Sequence, residues 1–371
     1  MATASHALCA PRASPAPLTA DRSAAVVGGR LLRFLCERLG VRGLRYAKPP
    51  ALVPDGWITY IFHFQLEAVP GLPAEFLGPL TLRLFACAEA APHGRREFAV
   101  QAHMRRLDYP VPAPVLWEES ADWLGGPFLL MEQVRGPTLL QRLLRRPWTF
   151  GSMASWMAEM QHQLHELPAD GFPAEPGPFL ERTLAEIDEV ATGFGLRAVQ
   201  PALGWLRDHQ PAPPPTPRIL HLDIHPMNLI HRRHQLPVVL DWDTADVGDP
   251  HADVATTLML LRCAANVGTT LWERVQIASG RELLRACYLA SYRRRAELER
   301  AKLDYYRAWA ALRRLTTCAR WLIGGPLAAG AKPSLVRHLP AGHVKALCRD
   351  LARVTGVAIP LDEKSWEVQP V

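Results

Sequence analysis

The chain has 371 residues, of which 49% are hydrophobic and 21% charged. These proportions are typical of globular proteins and exclude a disordered or fibrous chain. Only five of the 42 basic residues are lysines, at positions 48, 302, 332, 345 and 364. Between residues 49 and 301, a fixed positive charge must therefore come from arginine, and catalysis by a Schiff-base lysine or a phosphate-loop lysine is excluded there.

The net charge of +6 is concentrated in one part of the chain. Residues 251–350 contain 17 basic and 7 acidic residues, whereas the remainder contains 25 basic and 29 acidic residues. A basic region attracts anionic molecules and repels cationic ones, so it affects which molecules can bind there.

The seven cysteines are scattered, odd in number and contain no C-x-x-C pair. This pattern favours a reducing compartment over a disulfide framework or a zinc site. No apolar run approaches the roughly 18 residues that span a bilayer, and the N-terminus lacks the features of a secretory signal. We therefore expect a cytoplasmic protein that does not enter a membrane.

The first third of the chain predicts a small sheet that carries one helix. Residues 1–28 are rich in Ala, Ser and Pro and predict a mobile extension. Apolar spacing predicts a short helix over residues 30–39. Alternation and turn residues then predict strands at 57–67, 80–85, 115–117 and 128–134, with a helix at 95–107. We assign residues 29–136 to this N-terminal lobe.

The rest of the chain, residues 137–371, predicts a larger and mainly helical lobe. Helical spacing occurs at 156–167 and across 180–209, and a proline-rich break at 211–217 precedes two short strands at 219–222 and 237–240. Further helices are predicted at 250–264, 269–299, 303–322 and 340–354. The expected fold class is therefore α+β, with two lobes.

One segment carries the most chemical information: His221-Leu-Asp223-Ile-His225-Pro-Met-Asn228. An apolar strand follows it and ends at Asp241, with Asp243 two residues later. This arrangement can place one carboxylate at a substrate hydroxyl while an amide oxygen and a second carboxylate hold Mg²⁺ on nucleotide phosphates.

This segment resembles the catalytic and metal loops of the aminoglycoside phosphotransferase and choline kinase family, which is related to the protein kinases. The resemblance runs from about residue 57 to residue 260, and Gly248-Asp249-Pro250 and Asp253-Val-Ala stand where the family has G-D-P and D-L-A. It implies a bilobal, protein-kinase-like fold. It also implies an enzyme that uses ATP and Mg²⁺ to phosphorylate a hydroxyl of a small molecule, either a metabolite or an antibiotic.

The resemblance also assigns roles in the second lobe. Asp223 would be the catalytic base, and Asn228 and Asp241 would ligate Mg²⁺. Asp243 would be either a second metal contact or a solvated loop carboxylate. His221 would brace the catalytic loop, Asp249 would cap a helix and Asp253 would hold the loop in shape.

In the first lobe, Arg83 stands where the family has the strand lysine that contacts nucleotide phosphates. Glu97 matches the helix acid that holds this cation, and its helical register places it on an inward face. Thr59 would contact the phosphates. The segment from Met131 to Val134 resembles the hinge that receives adenine, which assigns Glu132 and Val134 to nucleotide binding through their main chain.

Two departures leave an alternative open. The expected nucleotide loop at 54–59 has a single glycine and a bulky Trp57, and Leu222 occupies a position where the family favours glycine. Both bear on the rate of turnover. The glycine-poor loop favours the alternative of a nucleotide-binding pseudokinase or regulatory module without efficient turnover, and the retention of Asp223, Asn228 and Asp241 disfavours it. A nucleic-acid binder, suggested by three consecutive arginines at 293–295, is disfavoured because such runs usually form a solvated helix face.

The acceptor is expected to bind the helical region at 251–350, as in the family. That region carries a net charge of about +10, so we expect a weakly charged, neutral or anionic acceptor rather than a polycationic aminoglycoside. Four aromatic residues there are candidates either for an acceptor pocket or for the core: Tyr305, Tyr306, Trp309 and Trp321.

Overall fold

The computed structural model describes residues 22–53, 59–86, 88–233, 235–263, 271–323 and 341–359. The predicted extension lies outside these ranges up to residue 21, and its last five residues belong to the first helix. The N-terminal lobe consists of α1 (Ala24–Leu39), β1 (Tyr46–Val53), β2 (Thr59–Leu66), β3 (Pro79–Phe85), α2 (Ala91–Arg106), β4 (Pro114–Glu118) and β5 (Phe128–Glu132).

The five strands form one antiparallel sheet in the order β1-β2-β3-β5-β4. Four of them were predicted to within a few residues. The edge strand β1 was not, because Pro49 and Pro50 interrupt its pattern and its pairing with β2 is irregular. Proline is tolerated at a sheet edge because its missing N–H can face away from the neighbouring strand.

Helix α1 starts six residues before the predicted position and packs on the sheet through Val27, Leu31, Phe34 and Leu35. It ends at Gly40, whose φ of 65° is the left-handed conformation that commonly terminates a helix. Because these apolar side chains belong to the core of the sheet, α1 is an integral part of this lobe.

Helix α2 approaches the sheet closely at Gly94. A Cβ on this residue would lie 2.3 Å from a ring atom of Trp117 in β4, which no side chain could tolerate. Glycine thus lets the helix backbone approach β4 directly, and one turn later Glu97 is fully buried. The predicted inward register of Glu97 is observed.

The second lobe is mainly helical. Its helices are α3 (Leu139–Arg145), α4 (Phe150–Glu166), α5 (Phe179–Gly193), α6 (Gln200–Asp208), α7 (Pro250–Cys263), α8 (Leu271–Arg293), α9 (Arg300–Ile323) and α10 (Ala341–Thr355). Its strands form two antiparallel pairs, β6 (Arg218–Leu220) with β9 (Asp246–Gly248) and β7 (Leu229–Ile230) with β8 (Val238–Val239). The sequence did not predict β7 or β9, each only two or three residues long.

The chain passes between the lobes at residues 133–138, here called the hinge. Gly136, with a φ of 143°, lies so close to the β7 strand end that a Cβ would be 2.5 Å from the carbonyl oxygen of His231. The N–H of His231 donates to the carbonyl of Pro137, and Thr138 caps helix α3. These contacts fix the hinge against the β7–β8 hairpin.

No helix in the described part of the chain is both long and apolar enough to cross a membrane.

Candidate active site

The loop between β6 and β7, residues 221–228, is held from below by Asp253 in the first turn of α7. The two carboxylate oxygens of Asp253 accept hydrogen bonds from the main-chain N–H groups of His221, at 3.0 Å, and Leu222, at 2.7 Å. Nε2 of His165 lies 3.0 Å from the same carboxylate. Burial would raise the pKa of Asp253, but hydrogen bonding and the charges of His165 and His221 outweigh it and lower the pKa. Asp253 is therefore an ionised support of this loop.

His221 braces the same loop from within. Its Nδ1 accepts a hydrogen bond from the N–H of Asp223 at 3.2 Å, which leaves the proton on Nε2, 3.0 Å from the carbonyl oxygen of Leu240. Burial lowers the pKa of His221. A buried ring with both nitrogens engaged by main-chain groups serves to position the loop rather than to transfer protons.

Asp223 and Asn228 contact each other directly. Nδ2 of Asn228 donates to Oδ2 of Asp223 at 2.7 Å and to its carbonyl oxygen at 3.1 Å. Burial raises the pKa of Asp223, but the nearby charges of His225, His221 and Arg314 bring it below its ordinary value. Asp223 is thus a carboxylate with one oxygen fixed by Asn228, and no described residue forms a hydrogen bond to its Oδ1.

Asp241 follows β8 with a left-handed backbone, φ 66°. Its Oδ1 lies 3.0 Å from Nη2 of Arg83, and Nη1 of Arg83 forms an ion pair with Glu97. The exposed fractions of these side chains are 37% for Asp241, 15% for Arg83 and 0% for Glu97. One guanidinium therefore connects α2, β3 and the segment after β8.

Burial and neighbouring charges raise the pKa of two carboxyl groups in this region, Glu97 and Asp243. Burial, opposed by Arg83 and reinforced by Asp241, raises the pKa of Glu97 to about 7. Burial, then Asp241 and Glu97, raise the pKa of Asp243 well above its ordinary value. Burial and neighbouring carboxylates therefore work against the ionisation of Asp243.

The oxygen atoms fit a magnesium ion. With Nδ2 of Asn228 committed to Asp223, its Oδ1 is the atom left for a cation, and Asp241 has a second oxygen beyond the one on Arg83. Mg²⁺ prefers such oxygen ligands and completes its shell with phosphates and water. Within the described residues, no group of three or more His, Cys, Asp or Glu side chains could hold a metal alone.

The nucleotide-binding candidates of the first lobe differ in whether their polar groups are buried or already hydrogen-bonded. Thr59 opens β2 opposite Phe85 and is buried. The rest of the predicted nucleotide loop lies outside the described residues. In the hinge, no hydrogen bond within the described residues uses the main-chain N–H of Val134. The side chain of Glu132 is engaged by Arg232 and by the N–H of Ala113, so any role in adenine binding falls to its main chain.

Sequence reasoning missed the role of Arg96. Its guanidinium donates to the main-chain oxygens of Asp243, at 3.3 Å, and Ala245, and lies 3.3 Å from Glu175. Arg96 thereby ties α2 to the segment after β8. The only sequence signal was its position next to Glu97, because its partners lie about 80 to 150 residues further along the chain.

The aromatic residues of the basic region are part of the core. Tyr305, Tyr306 and Trp309 are buried among the helices of the second lobe, and the side chain of Trp321 lies outside the described residues. Arg293 and Arg294 are exposed, and Arg295 pairs with Glu159 in α4. The run of arginines is therefore largely a solvated face.

Comparison with known proteins agrees with this geometry. A family model described as "Phosphotransferase enzyme family" matches residues 52–315. Among solved structures, a putative aminoglycoside phosphotransferase from Ralstonia eutropha is 18% identical, with a TM-score of 0.58 over 88% of this chain and 95% of that one. A ternary complex of a thermostable mutant of aminoglycoside phosphotransferase APH(4)-Ia with ADP and hygromycin B is 16% identical, with a TM-score of 0.55 over 86% and 98% of the two chains. At such identities the likeness shows the fold alone.

Curated relatives carry a different name. Acyl-CoA dehydrogenase family member 11 of Gallus gallus is 24% identical over 229 residues, which are 52% of this chain and 29% of that protein. The Homo sapiens protein is 26% identical over 172 residues, which are 43% and 22% of the two chains. The present chain thus spans less than a third of these relatives.

The family match covers more than half of the chain, and the structural likeness extends over both lobes. The chain therefore belongs to the phosphotransferase enzyme family and has its bilobal, protein-kinase-like α+β fold.

Proposed function

We propose that this protein transfers the γ-phosphoryl group of ATP to a hydroxyl of a small molecule. The observation that carries this proposal is that two linked sets of side chains lie on adjoining segments, since the N–H of Leu240, next to Asp241, donates to the carbonyl oxygen of Asn228 at 2.8 Å. Asn228 holds Asp223, and Arg83 joins Asp241 to the buried Glu97. Phosphoryl transfer depends mainly on positioning and charge neutralisation, which these groups provide.

Asp223 would accept the proton of the acceptor hydroxyl. Its lowered pKa keeps it ionised at neutral pH, and Asn228 orients it through one oxygen. As the acceptor oxygen bonds to the γ-phosphorus, the bond from that phosphorus to the β–γ bridging oxygen breaks. ADP leaves with this oxygen, and the proton passes to Asp223 or from there to water.

The remaining groups would hold the nucleotide. Arg83 can contact a phosphate with the arm that now reaches Asp241 while its other arm stays on Glu97, because a guanidinium has donors on two sides. Asn228 and Asp241 would hold Mg²⁺, which neutralises charge on the phosphates when bound. The main chain at Glu132 and Val134 would receive the adenine, and Thr59 remains a proposed phosphate contact.

For the acceptor, we propose a neutral or anionic molecule. The charge of Arg314 in α9 reaches Asp223, and so does that of its neighbour Arg313. Neither guanidinium has an ion-pair partner in the described part of the chain, and Nε of Arg314 is buried without a hydrogen bond. Cations beside the base repel a polycationic aminoglycoside and attract an anionic group. Because the curated relatives are named for acyl-CoA dehydrogenases, hydroxyacyl-CoA thioesters belong among the acceptors to be tested.

The deciding experiment measures Asp223-dependent turnover. Mg-ATP consumption is followed for the native protein and for Asp223→Asn across neutral alcohols, hydroxyacyl-CoA thioesters and kanamycin-like aminoglycosides. We expect the variant to lose about 10²- to 10⁴-fold in kcat and to keep its nucleotide affinity. Asp122→Asn, in an exposed turn, serves as the matched control.

Nucleotide binding without Asp223-dependent turnover of any acceptor would favour the alternative, a nucleotide-binding module that does not catalyse. Efficient phosphorylation of the aminoglycosides would leave the phosphotransferase assignment intact and contradict the charge assigned to the acceptor. The Arg314→Gln variant, compared with Arg293→Gln, then reports on that charge separately: we expect only the former to raise KM for an anionic acceptor.

A further inference from the structure

A large basic cleft lies beside the hinge. It has a volume of about 1700 Å³ and is bounded by the hinge, the start of β3, helix α3, Trp156 of α4 and the turn between β7 and β8. Neither Asp223, Asn228, Asp241 nor Arg83 lines it. This hinge cleft is therefore separate from the groups proposed to act on the phosphates and the acceptor. Of the residues proposed to hold the nucleotide, only Glu132 lines it, and the side chain of Glu132 pairs with Arg232.

The lining of the hinge cleft is strongly positive. Its charged side chains are two glutamates, Glu75 and Glu132, and six arginines, Arg135, Arg142, Arg145, Arg146, Arg232 and Arg233. Arg232 pairs with Glu132 at 3.1 Å. Within the described residues, no ion pair engages the guanidinium groups of Arg135, Arg145, Arg146 or Arg233. Four unneutralised cations around one concavity create a potential that attracts an anionic ligand.

The side chain of Arg142 is held in place in the wall of the cleft by an aromatic ring. Its guanidinium carbon lies 5.6 Å from the ring centre of Trp156, in a cation–π arrangement, and its Nε is buried without a hydrogen-bond partner. The Trp156 ring in turn lies 5.1 Å from the ring of His231. A stacked arginine loses little further entropy when it binds a carboxylate, which makes this wall suited to recognition of an acidic group.

The size of the cleft points to a peptide. Pockets for small molecules usually measure about 300 to 1,000 Å³, well below this volume. A peptide helix about 11 Å wide would fill the cleft with roughly three turns. Leu236, in the lining, is 38% accessible, and Leu144 and Trp148, close to Arg145 and Arg146 in the chain but outside the lining, are 71% and 74% accessible. Such apolar surface suits the side chains of a peptide better than a continuous phosphate backbone.

We propose that the hinge cleft is a docking site for an acidic peptide segment of another protein. The segment would place carboxylates on the arginines of α3 and of the β7–β8 turn, and an apolar side chain near Trp156 or Trp148. Arginine clusters recognise acidic motifs in this way through charge-assisted, two-pronged hydrogen bonds. Because the cleft touches the hinge, an occupant would lie next to the segment that joins the lobes.

The test uses a fluorescently labelled oligo-glutamate peptide, with an oligo-glutamine peptide of the same length as the uncharged probe. The cleft variant is Arg145→Glu with Arg146→Glu. The control is Arg293→Glu with Arg349→Glu, which changes the net charge equally at exposed positions outside the cleft. We expect oligo-glutamate to bind the native chain, with an affinity that falls as salt is added. The cleft variant should bind about tenfold more weakly or worse, and the control should bind like the native chain.

Thermal unfolding and nucleotide affinity are measured for both double variants, and Arg145→Gln with Arg146→Gln replaces the cleft variant if charge reversal prevents folding. No binding of oligo-glutamate, or an equal loss in both double variants, would overturn the proposal. A labelled single-stranded oligonucleotide of equal charge is the second arm. If the oligonucleotide binds the native chain more tightly than the peptide does, and binds the cleft variant more weakly than the native chain, the site is one for nucleic acid and the peptide assignment is wrong.

Discussion

Nη2 of Arg83 lies 3.0 Å from Oδ1 of Asp241, although the two residues are 158 positions apart in the chain. Because Nη1 of the same guanidinium pairs with Glu97, the side chain of Arg83 spans the distance between the helix of the first lobe and the metal-binding candidate of the second. The guanidinium uses a different nitrogen for each contact, whereas a lysine would have to make both from one nitrogen. We propose that Arg83 takes the place of the family's lysine, and it also connects the two lobes.

We expect Arg83→Met to destabilise the protein by about 3 to 5 kcal/mol, because it leaves Glu97 buried without its cation. Combining it with Glu97→Leu should restore most of this stability, since an apolar pair can replace a buried ion pair. The double variant should still not consume ATP, although its stability is restored. Urea unfolding and Mg-ATP kinetics of both variants check this, with the exposed Arg95→Met as the control. Recovery of turnover in the double variant would show that Arg83 is structural only.

We expect Asn228→Ala and Asp241→Asn each to raise the Mg²⁺ concentration for half-maximal activity by about tenfold or more, because each removes an oxygen ligand. Asp243→Asn should have a smaller effect, since we assign the ion to Asn228 and Asp241. The measurement is a Mg²⁺ titration at constant ATP. A larger effect from Asp243 than from Asp241 would reverse the ligand assignment.

Asp253→Asn is expected to destabilise the protein by about 2 to 4 kcal/mol at neutral pH, since one carboxylate receives two main-chain N–H groups and His165. The pKa of Asp253 is lowered by folding. Its contribution is therefore complete above the ordinary aspartate pKa of about 3.9 and is lost as the pH falls through the lower, folded-state pKa.

The difference in unfolding free energy between the native chain and Asp253→Asn should accordingly be constant near neutrality and shrink only under strongly acidic conditions. Chemical unfolding across pH measures it. Asp304→Asn, at a surface ion pair, should change stability by less than about 0.5 kcal/mol. A difference that instead grew on acidification would contradict the lowered pKa.

Leu222 has a φ of 62° and a buried side chain, so it combines backbone strain with good packing. Leu222→Ala should destabilise the protein by about 2 to 4 kcal/mol, because it loses the packing and keeps the strain. Leu222→Gly should be more stable than the alanine variant by about 1 kcal/mol, because glycine adopts this conformation freely. Thermal unfolding of the two variants compares them. Greater stability of alanine would show that the backbone at this position is not strained.

The sequence predicted well those elements whose side chains repeat with a clear period. The helices over residues 250–263 and 300–323 and the strand over 79–85 were within a few residues of the predicted bounds. Prolines hid β1, and strands of two or three residues such as β7 are too short to show a period. The predicted helix at 269–299 ends earlier, at Arg293, and α9 begins at Arg300.

The candidate site likewise has features that could be predicted from the sequence and features that could not. The spacing of Asp223 and Asn228 is local, and their contact follows because both belong to one short loop between two strands. The inward register of Glu97 also follows from helical geometry. The support that Arg96 gives to Asp243 and Ala245 could not be predicted, because no local pattern relates residues so far apart in the chain.

By itself, the sequence determined which chemical groups are available: arginine as the only cation from residue 49 to residue 301, one loop with an acid and an amide, and a basic second lobe. These are properties of composition and short-range spacing. Only the tertiary structure decided that Arg83 bridges Glu97 and Asp241, and that arginines from the hinge, α3 and the β7–β8 turn surround one cleft. Such groupings arise when packing of the core brings distant segments together, and local sequence does not encode them.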